Sequence, residues 1–262
     1  MNRLHILFAH ALAAAALLAS ATSAAPAPVL FVFAHPDDEI IAAPLIAGLA
    51  RRGQPVVLAL ATAGERGAPA DRSIAAGPAL AAVRTGEAQC SARALGIAPP
   101  RFLGFEDGSL GEATRPPGSR LKALGIAIRT LVTETRPRAI ITWGPDGGYG
   151  HPDHRLVSAV TSEVVLGTAM APPLLYIGLP AAALAAHPPR LMAWTGTEAV
   201  LLTVRIPFTA ADAAAARTAA LCHRSQFAAP AIVDAVTAEL EPVLAGAVHL
   251  RPAVPTKGNP LK

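Results

Sequence analysis

Short, unbroken apolar runs alternate with longer amphipathic stretches along most of the chain. The runs are Val29–Phe33 (VLFVF), Val56–Thr62 (VVLALAT), a weaker Arg101–Phe105 (RFLGF) and Ala139–Trp143 (AIITW). Runs this short, without polar alternation, predict strands buried on both faces. The stretches between them predict helices over residues 40–52, 77–95 and 119–135. Strand and helix in strict alternation predict a single α/β domain with a mostly parallel sheet and helices on both faces, Rossmann-like in layout. Further strands are expected at 174–178 and 199–206, the latter as an antiparallel edge, and further helices at 210–223 and 232–244. The Pro-punctuated residues 251–262 carry no core pattern and are expected to be loosely held, which leaves 26–250 as the domain.

Gly/Pro-rich pieces at 64–77, 108–118 and 144–150 read as loops between these elements. In an open parallel sheet the ligand crevice lies beyond the carboxyl ends of the strands, and an active site is expected there. Two segments at such ends hold nearly all the convergent polar chemistry. The first is Ala34-His35-Pro36-Asp37-Asp38-Glu39, directly after the first strand. Pro36 suits the first position of a helix, which makes His35 its expected cap and sets Asp37 and Asp38 in the first turn. The helix dipole alone favours acids at a helix start, and Glu39 is read that way, but it does not account for a His beside them. The second is Gly144-Pro145-Asp146-Gly147-Gly148-Tyr149-Gly150-His151-Pro152-Asp153-His154, after the fourth strand. A Pro again follows a His, so His151 and His154 fall one turn apart and address one cavity.

Together the two clusters offer the His and carboxylate donors of a hydrolytic zinc site, in which three protein ligands leave one position for water. Two His and one carboxylate also suit Fe(II) or another divalent metal. A spare carboxylate beside the metal can take a proton from bound water, and a spare His can protonate a departing amine.

The 262 residues, with a net charge of +4, match one sizeable domain and contain no run of Lys or Arg. A phosphate-tracking stripe is therefore absent from the sequence, and nucleic acid is not an expected partner. Aromatic residues make up only 4% of the chain, which argues against a long carbohydrate-stacking groove and for a small-molecule or terminal-sugar substrate. Arg3 precedes an apolar run over residues 6–19 and small residues at 20–25, which reads as a signal peptide (residues 1–25) cleaved near Ser23, Ala24 or Ala25. The alternative, an uncleaved anchor, would rest on a run that falls short of the ~20 residues a bilayer span needs. Export to the periplasm or the exterior is the expectation, without a stable membrane span after cleavage. Cys90 and Cys222 lie on Ala-rich helical stretches and are expected to be unpaired packing residues, although export would permit a disulfide.

AHPDDE near the start of the domain, with YGHPDHR downstream, resembles the PIG-L (LmbE-like) family of zinc-dependent de-N-acetylases. Thr62-Ala63-Gly64-Glu65, Arg84-Thr85-Gly86-Glu87, Phe102 to Gly108 (FLGFEDG) and His223-Arg224-Ser225-Gln226 resemble further family segments. The resemblance implies that His35, Asp38 and His154 hold zinc and that Asp37 is the general base. It implies that His151 is a general acid or electrostatic stabiliser oriented by Asp153, and that Tyr149 serves the oxyanion site or gates the pocket. Arg84 and Asp107 match substrate-contacting positions; the alternative for both is an ion pair tying helix to loop. His223 is read either as lining the substrate pocket or as capping a helix. The function implied is removal of an N-acetyl group from an N-acetylglucosamine-type sugar. An amidase for another small conjugate, or a metal-containing carbohydrate-binding module without turnover, stand as the alternatives.

Overall fold

The structure is a computed structural model describing residues 26–112, 118–255 and 258–261. The expected signal peptide and part of the 108–118 loop lie outside these residues. In chain order the elements are β1 (Val29–Phe33), α1 (Ala43–Arg51), β2 (Val56–Thr62), α2 (Pro78–Leu95), β3 (Arg101–Phe105), α3 (Arg120–Thr135) and β4 (Ala139–Trp143). They continue with the short turn α4 (Gly147–Gly150), α5 (Pro152–Leu166), β5 (Leu174–Ile177), β6 (Leu179–Pro180), α6 (Ala181–Ala186) and β7 (Gly196–Thr197). The last are β8 (Val204–Pro207), α7 (Ala210–Ala220), α8 (Pro230–Leu244) and β9 (Ala247–Pro252).

Seven strands form one sheet in the order β3-β2-β1-β4-β5-β9-β8, and β6 and β7 pair separately. β1 to β5 run parallel, while β9 is antiparallel to both β5 and β8. The apolar runs become the central strands because the sheet is covered on both sides. Period-two alternation divides β1 between two cores. Val29, Phe31 and Phe33 face α1, with Leu45, Ile46 and Leu49, whereas Leu30 and Val32 face α3 and α5, with Leu124, Ile128, Val157 and Val160. All five residues of β1 are fully buried.

The chain steps from β1 outward through β2 to β3, then returns to place β4 on the other flank of β1. That reversal opens a crevice at the carboxyl ends of β1 and β4, the place where open α/β sheets hold their ligands.

Three expectations require correction. The 199–206 strand is a 3-10 turn at Ala199–Leu201 followed by β8, which is the sheet's edge. Arg251 and Pro252, assigned above to a loose tail, close β9: Arg251 pairs with Tyr176 of β5 and lays its guanidinium 5.1 Å from that ring. Cys90 and Cys222 are bonded, with their Cα atoms 5.7 Å apart, and so tie α2 to the exit of α7. Half-buried Ala-rich helices hid this pairing, since a Cys in such a stretch has the same pattern whether or not it is bonded. No helix among the described residues is long and apolar enough to cross a membrane.

Candidate active site

Both sequence clusters arrive at the crevice, each directly from a central strand. β1 stops at Phe33, so His35 stands at its tip, buried to 6% exposure. The helix expected to start at Pro36 does not start there: Asp37 adopts φ +96°, and Asp38–Ala42 form a 3-10 turn before α1. Asp tolerates this left-handed conformation better than most residues do. The second cluster follows the sequence reading. His151 caps α5, its Nδ1 accepting the Asp153 N–H at 3.2 Å, and Pro152 is the first helical residue.

Three donor atoms converge between the clusters. His154 Nε2 lies 2.9 Å from Asp38 Oδ1 and 3.2 Å from His35 Nδ1, and His35 Nδ1 lies 3.8 Å from Asp38 Oδ1. The opposite atom of each group is already engaged. Asp38 Oδ2 accepts the backbone N–H groups of Ala34 and His35 at 2.9 and 3.0 Å. His154 Nδ1 faces the Gly147 carbonyl oxygen at 3.1 Å. His35 Nε2 faces Asp107 Oδ1 at 3.0 Å and Asp153 Oδ2 at 3.4 Å. These acceptors place the imidazole protons on the far nitrogens and turn the lone pairs of His35 Nδ1 and His154 Nε2 toward Asp38 Oδ1, the arrangement a divalent metal requires. His151 reaches the same point, since its ring lies 4.6 Å from that of His154, and a second group of His35, Asp107 and Asp153 sits on the other edge of His35. That second group is committed elsewhere: Asp107 Oδ2 accepts from Arg66 N and Asp153 Oδ2 from Gly108 N. Burial pushes the His35 pKa down, but Asp107, Asp153 and Asp38 outweigh it and favour positive charge here, whether of a proton or of a metal.

Asp37 stands beside this cluster, a quarter exposed, with Oδ1 3.3 Å from Arg84 Nη2. Burial raises its pKa to about 6 against the pull of the Arg84 guanidinium, into the range where a carboxylate works as a base. Burial also raises the Tyr149 phenol, helped by the charges of Asp38 and Asp37, so its hydroxyl stays a donor. Burial and the neighbouring His35 and His154 lower the His151 pKa; with Nδ1 taken by the cap, the neutral ring carries its proton on Nε2. Trp143 is core, as its place at a strand end suggests, and stacks flat on His154 at 4.9 Å.

The outer residues are placed differently from the sequence reading. Arg84 is buried, donates to the carbonyls of Pro36 at 2.5 Å and Gly64 at 3.0 Å, and so is held against Asp37. Its ion-pair partner is thus Asp37, not Asp107. Asp107 backs the His35 ring, and its own N–H is taken by Glu65 Oε1. Asp153 points its carboxylate at His35 and Gly108; its link to His151 runs through its backbone N–H. His223 neither lines the pocket nor caps a helix: it is fully buried, with Nε2 2.7 Å from Glu39 Oε1.

Glu39, read above as a helix-start acid, is the residue the sequence reasoning missed. Its Oε1 also accepts the Ser91 hydroxyl at 2.5 Å, and its Oε2 accepts the Asp37 N–H at 3.0 Å. Burial disfavours both charges, yet Glu39 is lowered and His223 raised by their mutual attraction. The disulfide flanks this arrangement, because Ser91 follows Cys90 and His223 follows Cys222. An acid one residue beyond a pair of functional acids was the available signal.

The sequence profile of the PIG-L family, described as GlcNAc-PI de-N-acetylase, matches residues 30–165, just over half of the chain and both clusters. The chain belongs to the PIG-L family. Among curated relatives, this PIG-L protein is 36% identical over 163 residues to the 1D-myo-inositol 2-acetamido-2-deoxy-alpha-D-glucopyranoside deacetylase 1 of Saccharopolyspora erythraea, covering 53% of this chain and 54% of the relative. It thus spans about half the length of the curated relatives it matches. The N,N'-diacetylchitobiose deacetylase of Pyrococcus horikoshii shares the fold, with TM-score 0.59 and 19% identity over 86% of this chain and 83% of that one. So does GalB, the 4-carboxy-2-hydroxymuconate hydratase of Pseudomonas putida KT2440, with TM-score 0.61 and 16% identity over 88% of this chain and 98% of that one. The fold therefore serves more than one chemistry, and function has to be argued from the site.

Proposed function

We propose that this PIG-L protein is a metal-dependent hydrolase that removes an N-acyl group, acetyl in the simplest case, from an amino sugar of the N-acetylglucosamine type. The reading rests on one observation: His35 Nδ1, His154 Nε2 and Asp38 Oδ1 meet within 3.8 Å while Asp37 stands beside them without a place in the triangle. A pure binding module has no use for that extra carboxylate. Zinc fits the two nitrogens and one carboxylate oxygen; bound there it supplies an acidified water and an electrophilic contact for the amide carbonyl.

The chain's own residues supply the remainder. Asp37, anchored by Arg84, accepts a proton as water oxygen adds to the amide carbon, and returns it to the nitrogen as the C–N bond breaks. Products are a carboxylate and a free amine. The Tyr149 hydroxyl and the His151 Nε2–H are neutral donors flanking the cluster and stabilise charge growing on the carbonyl oxygen. Asp107 and Gly147 hold the two imidazoles in the tautomers this requires.

The test is acetate release from N-acetylglucosamine and its glycosides, with and without chelator and after zinc is restored. Chelator-sensitive release is expected; tight zinc binding without release from any amide would overturn the assignment. Export is part of the same proposal, supported by the signal-like residues 1–25 and by the Cys90–Cys222 disulfide, a bond that persists in oxidising compartments. Determining the N-terminus of the protein recovered from the periplasm or culture medium checks it.

A further inference from the structure

An apolar cavity of about 110 Å³ opens at Asp37 and Asp38. Beyond Trp143 and Tyr149, its wall is made by Ile40, Ile41, Leu191, Met192, Trp194 and Phe227, closed by Val236 and Leu240 of α8. Of Glu239, which also lines it, Oε2 accepts the N–H groups of Arg190 and Leu191 at 3.0 and 3.2 Å. A second cavity of about 330 Å³ lies between α1, α7 and α8 and shares Ile40, Ile41, Val236 and Leu240 with the first. Away from Asp37, Asp38 and Tyr149 the lining is mostly apolar, so the several hydroxyls of a sugar placed here would lose water and find few partners, the indole N–H of Trp143 among them. The loops after β2 and β3, which bring Asp107 against His35, are charged instead: Arg66 pairs with Glu106, which also pairs with Arg120 at the start of α3.

We propose that the apolar cavity seats the hydrocarbon chain of the scissile acyl group, that the physiological amide is therefore longer than acetyl, and that Val236 and Leu240, in the wall shared with the second cavity, set its length limit. The inference rests on the de-N-acylase reading above. The acyl chain is the substituent bonded directly to the carbon that water attacks, so a cavity beginning at Asp37 and Asp38 receives it first. A hydrocarbon on the sugar's anomeric oxygen is separated from that carbon by the polar ring, which would itself have to lie in the apolar space. A methyl group leaves most of the cavity empty, since an aliphatic-lined cavity of ~150 Å³ takes a six-carbon ring.

The experiment compares kcat/KM for N-acetyl-, N-butanoyl-, N-hexanoyl- and N-octanoyl-glucosamine, and for octyl N-acetylglucosaminide, using the zinc-loaded full chain. Burial of each methylene is worth about fourfold, so a rise of at least tenfold from acetyl to hexanoyl is expected. Val236→Phe, which puts a larger side chain in the wall that the two cavities share, and Met192→Asp, which puts a charge on the cavity wall, are each expected to bring the octanoyl-to-acetyl ratio down at least fivefold. Because Met192 is partly exposed, its variant tests the inference even if Val236→Phe fails to fold. Acetyl turned over as well as the longer chains, or octyl N-acetylglucosaminide preferred to N-octanoyl-glucosamine, would overturn the inference and leave the de-N-acylase reading intact. If no amide is turned over, that reading fails, and calorimetric binding of the same ligands decides the inference. N-Octanoyl-glucosamine binding at least tenfold tighter than the acetyl compound supports the cavity's role, and equal binding refutes it.

Discussion

Asp37 and Asp38 are adjacent in sequence and chemically opposite in use, because one peptide unit turns them in different directions. Asp38 spends Oδ2 on two backbone donors and points Oδ1 at the imidazoles, while Asp37, at φ +96°, turns to Arg84 and the cavity. Asn tolerates the same backbone conformation, so Asp37→Asn removes the base without adding strain. It is expected to retain metal and lose at least 100-fold in kcat, whereas His154→Ala is expected to lose both; metal analysis alongside turnover checks this, and equal behaviour of the two variants would refute the roles. Asp107→Asn weakens the acceptor that holds the His35 tautomer and is expected to lower zinc affinity 10- to 100-fold, read by competition with a chromophoric chelator. The three residues of the candidate metal site, His35, Asp38 and His154, all lie in the two His-Pro-Asp clusters, which the sequence places at the ends of central strands; the left-handed turn at Asp37 that aims Asp38 was not legible there. The contacts of Arg84, Asp107, Asp153 and His223 were not legible either. Whether a buried polar residue faces substrate or supports a neighbour depends on tertiary distances that no local spacing encodes.

At the scale of elements, the parallel core was readable because doubly covered strands leave continuous apolar runs. β9 was missed for the converse reason: it is an antiparallel addition whose His249 and Arg251 break the run, and Pro252 ends it. The tie between α2 and α7 also escaped, although it secures the segments on either side of Glu39. Closing a loop between residues 132 apart, the Cys90–Cys222 bond is expected to contribute about 2–4 kcal/mol to stability. Urea unfolding with and without a thiol reductant measures it. The untreated protein should show the higher midpoint, and Cys222→Ser should match the reduced form and ignore the reductant; no reductant effect on the wild type would count against a role for the bond.

For the whole molecule, the candidate metal site joins the tip of β1 to the start of α5, so occupancy by a metal would bear on the central layers and not only on a surface loop. A ligand that binds only the folded state stabilises it by mass action, about 2.7 kcal/mol at a hundredfold excess over Kd. The Tm is therefore expected to rise with zinc concentration and fall on chelation, by about 5 °C for a domain of this size. A Tm indifferent to zinc would mean that the three donors do not bind it in the native fold.

The only two tryptophans of the chain are Trp143, stacked on the imidazole of His154, and Trp194, 6.2 Å away on the cavity wall. The protein thus has both of its strong intrinsic fluorophores at the place where its chemistry is expected and none elsewhere. A cation arriving at His154 changes the electrostatic surroundings of the Trp143 indole, and a chain entering the cavity replaces water beside Trp194. Emission excited near 295 nm would therefore follow loading and occupancy in real time, without a label and without a background signal from the rest of the fold.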